Sequence, residues 1–459
     1  MYYKIKELET MEFNSFKYIF NCIKLYMRIF HILFILIQSY IEFNWNNFIL
    51  YLKNNEPEKR LELIKNITKK LEELNIVYIK IFQSLCLNDN ILNDEEKDYL
   101  LKYTDSVPFL SSDINYDILD TLESKYNIRL DIQEPLNSGI VSVAFKGIYM
   151  NDNNKVVVKI LKNNIKQRLE NVFEEIELLL KLMNIIPYIK NFNLKKTLFD
   201  NKDLLLEQTD FKNEANNIEV FRNININNEE FVFPKCYLDI SEQYNNVIVM
   251  ENIKGLTYTD IKNYDDSIKQ EFGKLLLKFG LISILYNSAV HCDVHPGNIF
   301  FYINEENSTK PKYQIGYIDF GIVSFPSRIN QNYYYKFFKN IQIDKEYDKL
   351  EEILSNCIIE EKNKFENLSV LEKNKIKEES ISSLTKYASN ENFDLKLFFN
   401  LSQVVNNYGL SFSKEFNQLC LCLQVVNALA ESLCKKENLK KFQDEIIESF
   451  NQINKLIEI

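Results

Sequence analysis

The stretch Val290-His291-Cys292-Asp293-Val294-His295-Pro296-Gly297-Asn298-Ile299, followed downstream by Ile318-Asp319-Phe320-Gly321, decides how this chain is read. It sets an Asp, an Asn five residues later, and a second Asp at the end of an apolar run, in that order. Magnesium takes hard oxygen ligands, which the Asn298 amide and the Asp319 carboxylate supply. A separate carboxylate, Asp293, is then left to orient or deprotonate an attacking group, the division of labour that phosphoryl transfer requires. Two ordinary polar turns between buried strands would explain the residue types. They would not explain the order, the spacing and the apolar flanks together.

Working outward, residues 126–160 change to a strand pattern. Ile128 to Ile132 leads into Pro135-Leu136-Asn137-Ser138-Gly139, then a strand to Gly147, a polar turn at Asn151 to Asn154, and Lys155-Val156-Val157-Val158-Lys159-Ile160. Alternation puts Val157 and Lys159 on one face, so Lys159 points inward and needs an anion or a carboxylate. The order matches the top of a kinase N-lobe, with Lys159 as the phosphate-binding lysine and Gly139 in the phosphate loop. The helical stretch 164–222 offers two carboxylates to pair with Lys159, Glu177 and Glu214, and spacing leaves the choice open. Val247 to Glu251 reads as a buried strand running into Asn252-Ile253-Lys254-Gly255. It is similar to the hinge between kinase lobes, where Met250, Glu251 and Ile253 would hold the adenine edge. Residues 259–289 form an apolar helix that delivers the opening stretch, and a hairpin with a polar tip at Asn304 to Lys312 separates that stretch from Asp319. Residues 322–459 read as helical without an Ala-Pro-Glu signature, so no protein-substrate platform is expected. The fold class expected is α+β: a protein-kinase-like bilobal fold with an α-helical N-terminal extension (1–125), an N-lobe with inserted helices (126–255), and a C-lobe with a helical C-terminal region (256–459).

Composition removes several alternatives. The 459 residues carry a net charge of −10, which leaves no basic footprint for nucleic acid. Two of the three histidines lie in the opening stretch, so no second imidazole cluster exists for zinc. The eight cysteines are scattered without a Cys-x-x-Cys pair, which fits reduced thiols better than a disulfide framework. Only nine glycines occur, and Gly139, Gly147, Gly297 and Gly321 fall in the motifs, which suggests a backbone need at each. The many Asn-rich runs read as compositional bias. Phe16 to Leu52 is apolar but interrupted by Lys24, Arg28, His31 and Glu42. Its longest clean piece, Ile32 to Ile41, is shorter than the ~20 residues a bilayer span needs. It reads as a core or capping helix, with a helix lying on a membrane surface as the sharper alternative. Glu7, Glu9 and Glu12 speak against a transit peptide, and no cleavage signal is visible. Lys80 and Gln83 sit one helical turn apart, which alone describes the solvated edge of an amphipathic helix.

Taken together, residues 76–330 resemble the UbiB-type, or aarF-domain, atypical kinases. In that family the catalytic loop reads His-x-Asp-x-His-Pro-Gly-Asn, as His291 to Asn298 do. The lysine strand, the Glu-Ala-x-Asn helix (Glu214, Ala215, Asn217), the Met-Glu hinge and the Asp-Phe-Gly follow in family order. The resemblance implies that Glu214 rather than Glu177 pairs with Lys159. It also implies that Lys80 and Gln83 belong to an extension helix folded over the nucleotide pocket. It implies ATP and Mg2+ as cofactors, with Asp293 and Lys159 catalytic and Asn298 and Asp319 on the metal. The activity implied is that of an atypical kinase or ATPase acting on small molecules or lipids in ubiquinone or related metabolism. Its partners would be a lipid or membrane surface and quinone-biosynthesis proteins, its setting a mitochondrion or plastid-type organelle. Three departures stand out: Phe82 replaces the glycine of Lys-x-Gly-Gln, Gln208-Thr209-Asp210 replaces Glu-x-Asp, and Asn137-Ser138-Gly139 replaces an Ala-rich loop. They imply weaker autoinhibition. The alternatives are a pseudokinase-like scaffold that binds nucleotide and lipid, and a protein kinase.

Overall fold

The computed structural model describes residues 2–53, 55–56, 59–75, 77–78, 93–101, 107, 109–183, 202–203, 205–287, 289–305, 308–344, 346–388 and 396–457. They fall into two compact units, Met1–Asp210 and Phe211–Ile459.

The first unit opens with helices α1 (Tyr2–Leu52), α2 (Arg60–Leu74), α3 (Asp94–Leu101) and α4 (Tyr116–Tyr126). Four antiparallel strands follow: β1 (Ile128–Asp131), β2 (Asn137–Ser138), β3 (Ser142–Tyr149) and β4 (Asn154–Leu161). Helix α5 (Ile165–Met183) comes next. β3 and β4 pair from Ser142 opposite Leu161 to Tyr149 opposite Asn154. Their turn places Asn153 at φ 58, and the Asp152 carboxylate accepts the Asn154 N–H at 3.1 Å. Asn127, which caps α4, and Asn164, which precedes α5, also take the left-handed conformation. Asparagine reaches that region at low cost, so these three residues of the Asn-rich background have structural work after all. The glycine expectation is met differently from place to place. At Gly147 a Cβ would sit 3.0 Å from Leu130 and 3.2 Å from the Arg129 carbonyl, so the strand pairing itself excludes a side chain. At Gly139 a Cβ would meet only the Ser142 carbonyl at 3.9 Å, leaving room beside the loop.

The core of this unit joins α1, α2, α5 and the ends of the sheet through Ile29, Ile32, Ile35, Leu71, Val141, Leu169 and Phe173. The apolar segment read as a core or capping helix is one continuous helix, and although its clean piece Ile32 to Ile41 is short, Ile23–Leu52 as a whole is long and apolar enough to cross a membrane by length and composition. Two of the interrupting charges are absorbed by ion pairs. Arg28 donates to Glu175 of α5 at 2.7 Å, and Lys70 of α2 holds Glu42 at 2.8 Å. Glu175 is buried and also accepts the Tyr78 hydroxyl, so a single carboxylate joins three segments.

The second unit contains α6 (Phe211–Ile224), β5 (Phe231–Val232), α7 (Leu238–Gln243), β6 (Val247–Glu251), α8 (Tyr258–Ile261), α9 (Asp266–Leu285) and β7 (Val290–His291). After these come the hairpin β8 (Ile299–Ile303) and β9 (Tyr313–Tyr317), then β10 (Val323–Ser324) and α10 (Arg328–Phe338). Short helices α11 (Leu350–Ile353) and α12 (Lys362–Glu366) precede α13 (Val370–Ala388), α14 (Lys396–Asn407), α15 (Lys414–Leu433) and α16 (Lys436–Ile457). α9 is buried nearly all round. Its Gly273 and Gly280 let α15 come close: a Cβ at Gly273 would lie 2.7 Å from Cys434, and one at Gly280 would lie 3.0 Å from Val426. β5 runs parallel to β9, which pairs antiparallel with β8, and β10 pairs antiparallel with β7. α9 thus delivers its chain into β7, and the two short ladders hold the loop after β7 beside the turn after β9.

Candidate active site

The loop His291 to Asn298 and the turn Ile318 to Gly321 are stitched together by backbone and amide hydrogen bonds. The Cys292 N–H donates to the Ile322 carbonyl at 3.0 Å, continuing the β7–β10 ladder. Asn298 ties both segments. Its side-chain NH2 donates to the Asp293 carbonyl at 3.1 Å, and its own carbonyl accepts the Ile318 N–H at 2.9 Å. With the NH2 committed, the planar amide turns its side-chain oxygen the other way, as a metal ligand needs. His295 caps the short helical turn Pro296–Asn298 by accepting the Gly297 N–H on Nδ1 at 3.1 Å.

His291 is wholly buried and acts as an internal brace. Its Nδ1 accepts the Asp293 N–H at 3.2 Å, so the neutral ring carries its proton on Nε2, which faces the Ile318 carbonyl at 3.4 Å. Burial pushes its pKa down to about 4, against the opposing pull of Asp293 and Asp319. The unfolded chain binds a proton between pH 6.5 and 4 that the folded chain refuses. Stability is therefore full above pH 6.5 and is lost as pH falls toward 4. A shift of that size corresponds to about 3 kcal/mol. Denaturant titrations at the two pH values are expected to show this excess loss in the parent chain and not in His291→Gln.

Asp319 lies at φ 63, a left-handed conformation rare for a residue with a side chain. Its Oδ1 accepts the Gly321 N–H at 3.4 Å. The strain is held by Phe320, which is fully buried with its ring 4.5 Å from His291 and 4.8 Å from Phe221. The Asn217 side chain of α6 donates to the Phe320 carbonyl at 3.0 Å. A strained backbone kept in place by this much packing is a mark of a functional site.

The other expected residues are placed as follows. In the second unit, Glu214 is buried on α6, and Met250 and Glu251 end β6. The Glu251 N–H donates to the Lys235 carbonyl at 2.8 Å, and the Ile253 N–H turns back to the Glu251 carbonyl at 3.1 Å. In the first unit, Lys159 is buried on β4 opposite Ala144, so it does point inward, and Gly139 follows β2. Glu177 bonds Lys181 on its own helix at 2.9 Å. Lys80 and Gln83 lie outside the described residues. Asn217 and His291 were visible in the motifs but carried no assigned role. Among the described residues no three His, Cys, Asp or Glu side chains cluster as a metal cage. One Asp and one Asn suit magnesium, which keeps waters and substrate phosphates in its shell rather than filling it with protein ligands.

Residues 131–354 match the profile of the ABC1 atypical kinase-like domain. The match covers just under half of the chain and supports the UbiB-type resemblance of the motifs. Relatives named "Probable protein kinase UbiB" include one from Aliivibrio fischeri, 26% identical over 298 residues, covering 62% of this chain and 52% of the relative. One from Shewanella baltica is 26% identical over 297 residues, covering 61% and 50%. The chain spans about half the length of these curated relatives. A solved erythromycin complex from Mycobacterium tuberculosis aligns with 76% of this chain and 90% of that one, at 19% identity and a TM-score of 0.39. The mixed helical and antiparallel-sheet architecture agrees with the kinase-like domain matched over residues 131–354.

Proposed function

We propose that this chain, in keeping with its UbiB-type resemblance, binds ATP with Mg2+ and hydrolyses it or transfers its terminal phosphoryl group, in support of ubiquinone or related lipid metabolism. The observation that carries the reading is the strained Asp319 held beside Asn298, whose side-chain NH2 is committed to the Asp293 carbonyl. Asn298 and Asp319 hold the magnesium. Bound there, the ion neutralises charge on the phosphates and fixes their position. Asp293 orients or deprotonates the attacking hydroxyl, its backbone fixed by His291 on one side and Asn298 on the other. By the resemblance, Lys159 takes the phosphates, while the backbone from Met250 to Ile253 takes the adenine. α10 begins at Arg328, nine residues past Asp319, which favours a small-molecule acceptor over a protein one.

Magnesium-dependent nucleotide binding, followed as a rise in melting temperature, tests this. ATP with magnesium should raise the melting temperature of the parent chain and not that of Asp319→Asn. Equal shifts with and without magnesium would leave the metal assignment without support. Stabilisation without turnover would instead favour a nucleotide-binding scaffold.

A further inference from the structure

Arginine is scarce in this chain: of its 55 basic residues only six are arginines. Three of them, Arg28, Arg60 and Arg168, each reach a buried carboxylate on another element, Glu175, Glu96 and Asp113 in turn. Arg222 does not. It pairs with Glu219 one turn back on α6, where its Nη1 donates to the two carboxylate oxygens at 3.0 and 2.8 Å. Elsewhere among the described residues the chain makes this i,i+3 pair with lysine, at Lys65–Glu62, Lys269–Asp266 and Lys274–Glu271. A guanidinium offers what an ammonium lacks, a planar fork that meets a carboxylate with two parallel N–H groups. With Nη1 on Glu219, the Nε and Nη2 edge of Arg222 makes no other hydrogen bond among the described residues.

Arg222 lines a cleft of about 500 Å³, within the range of small-molecule sites, between the end of α6, β5 and the tip of the β8–β9 hairpin. Lys310 lines it from the hairpin tip, exposed and without an ion pair among the described residues. Phe231 and Phe233 bring buried aromatic surface to it, and Ile226, 74% exposed, an apolar edge. The walls are held by hydrogen bonds. The buried Gln314 side chain donates to the Glu229 carbonyl and accepts from Asn304 at 2.8 Å, and the Asn225 side chain donates to the Phe221 carbonyl at 2.9 Å.

Charge sets the class of ligand. Arg222 and Lys310 bring two positive charges, and Glu219 and Glu229 two negative ones, so the cleft is locally neutral in a chain of net charge −10. Such a site takes up one added negative charge through its guanidinium and ammonium donors, while a second would press on Glu229. We infer that this cleft binds a small organic carboxylate with an apolar body, its carboxylate on the fork of Arg222 and on Lys310 and its body against Ile226 and Phe233. No residue of the nucleotide reading lines the cleft, so the two stand or fall separately.

Benzoate is the probe, followed on the full chain by saturation-transfer NMR, with benzamide as its neutral counterpart and phenyl phosphate as the dianion. Saturation should pass from the protein to benzoate, with an affinity at least about tenfold above that for either of the other two. Arg222→Lys keeps the pair with Glu219 in the form the chain uses elsewhere, so the melting temperature should match the parent while the affinity for benzoate falls at least about tenfold. Asp319→Asn should bind benzoate like the parent, which separates failure here from failure of the nucleotide site. Three results would each overturn the inference. They are an absence of transfer to benzoate, benzamide or phenyl phosphate binding at least as well as benzoate, and an unchanged affinity for benzoate in Arg222→Lys.

Discussion

Asp319→Asn is expected to lower magnesium-dependent ATP turnover by about a thousandfold, or about 4 kcal/mol in the barrier, with little change in melting temperature. Asparagine is the right replacement because φ at this position is 63, a region that Asn enters about as readily as Asp. The amide keeps an oxygen near the metal but removes its charge, so the loss reports on electrostatics rather than on backbone strain. Asp319→Ala would mix the two. Asp293→Asn should give a comparable loss in turnover while keeping the magnesium-dependent melting shift, since the proposed function puts its carboxylate on the attacking group and not on the metal. Steady-state turnover of the three chains side by side decides the matter. Equal rates would remove phosphoryl chemistry from this loop.

The second large effect concerns Phe320. Its ring is fully buried between His291 and Phe221, with Phe233 5.8 Å away. Phe320→Ala is expected to cost about 3–5 kcal/mol, the usual penalty for an aromatic cavity that cannot collapse. It should also lower turnover, because the backbone of Asp319 loses the anchor that keeps it strained. Phe320→Leu fills most of the space and should stay within about 1.5 kcal/mol of the parent. Urea unfolding followed by far-ultraviolet circular dichroism gives both numbers. An alanine chain as stable as the parent would mean the ring does not hold this turn.

How far the sequence reaches is set by the range over which each feature is determined. The loop from His291 to Asn298 was legible because chemistry dictates its residue types and their spacing is local. The inward Lys159 followed from strand alternation, which is also local. The brace from Asn217 to the Phe320 carbonyl joins positions 103 apart, and nothing in either stretch announces the other. The buried carboxylate of α5 is a similar case. Glu175 and Glu177 sit on one helix, and which of them turns inward depends on where Arg28, 147 residues earlier, comes to rest. A hint was present, since Glu175 lies on the apolar stripe of Val172, Phe173 and Leu179. The asparagines at 127, 153 and 164 were hidden differently. A background rich in Asn masks the few positions where the backbone requires it.

The Arg28–Glu175–Tyr78 contact has a mechanical consequence. Two helices that share one dry carboxylate cannot slide past each other without stranding a charge, so α1 and α5 respond to load as a single lever. One arm is α1. The other begins at Ile165, six residues past Lys159, so the braced pair of helices adjoins the lysine strand.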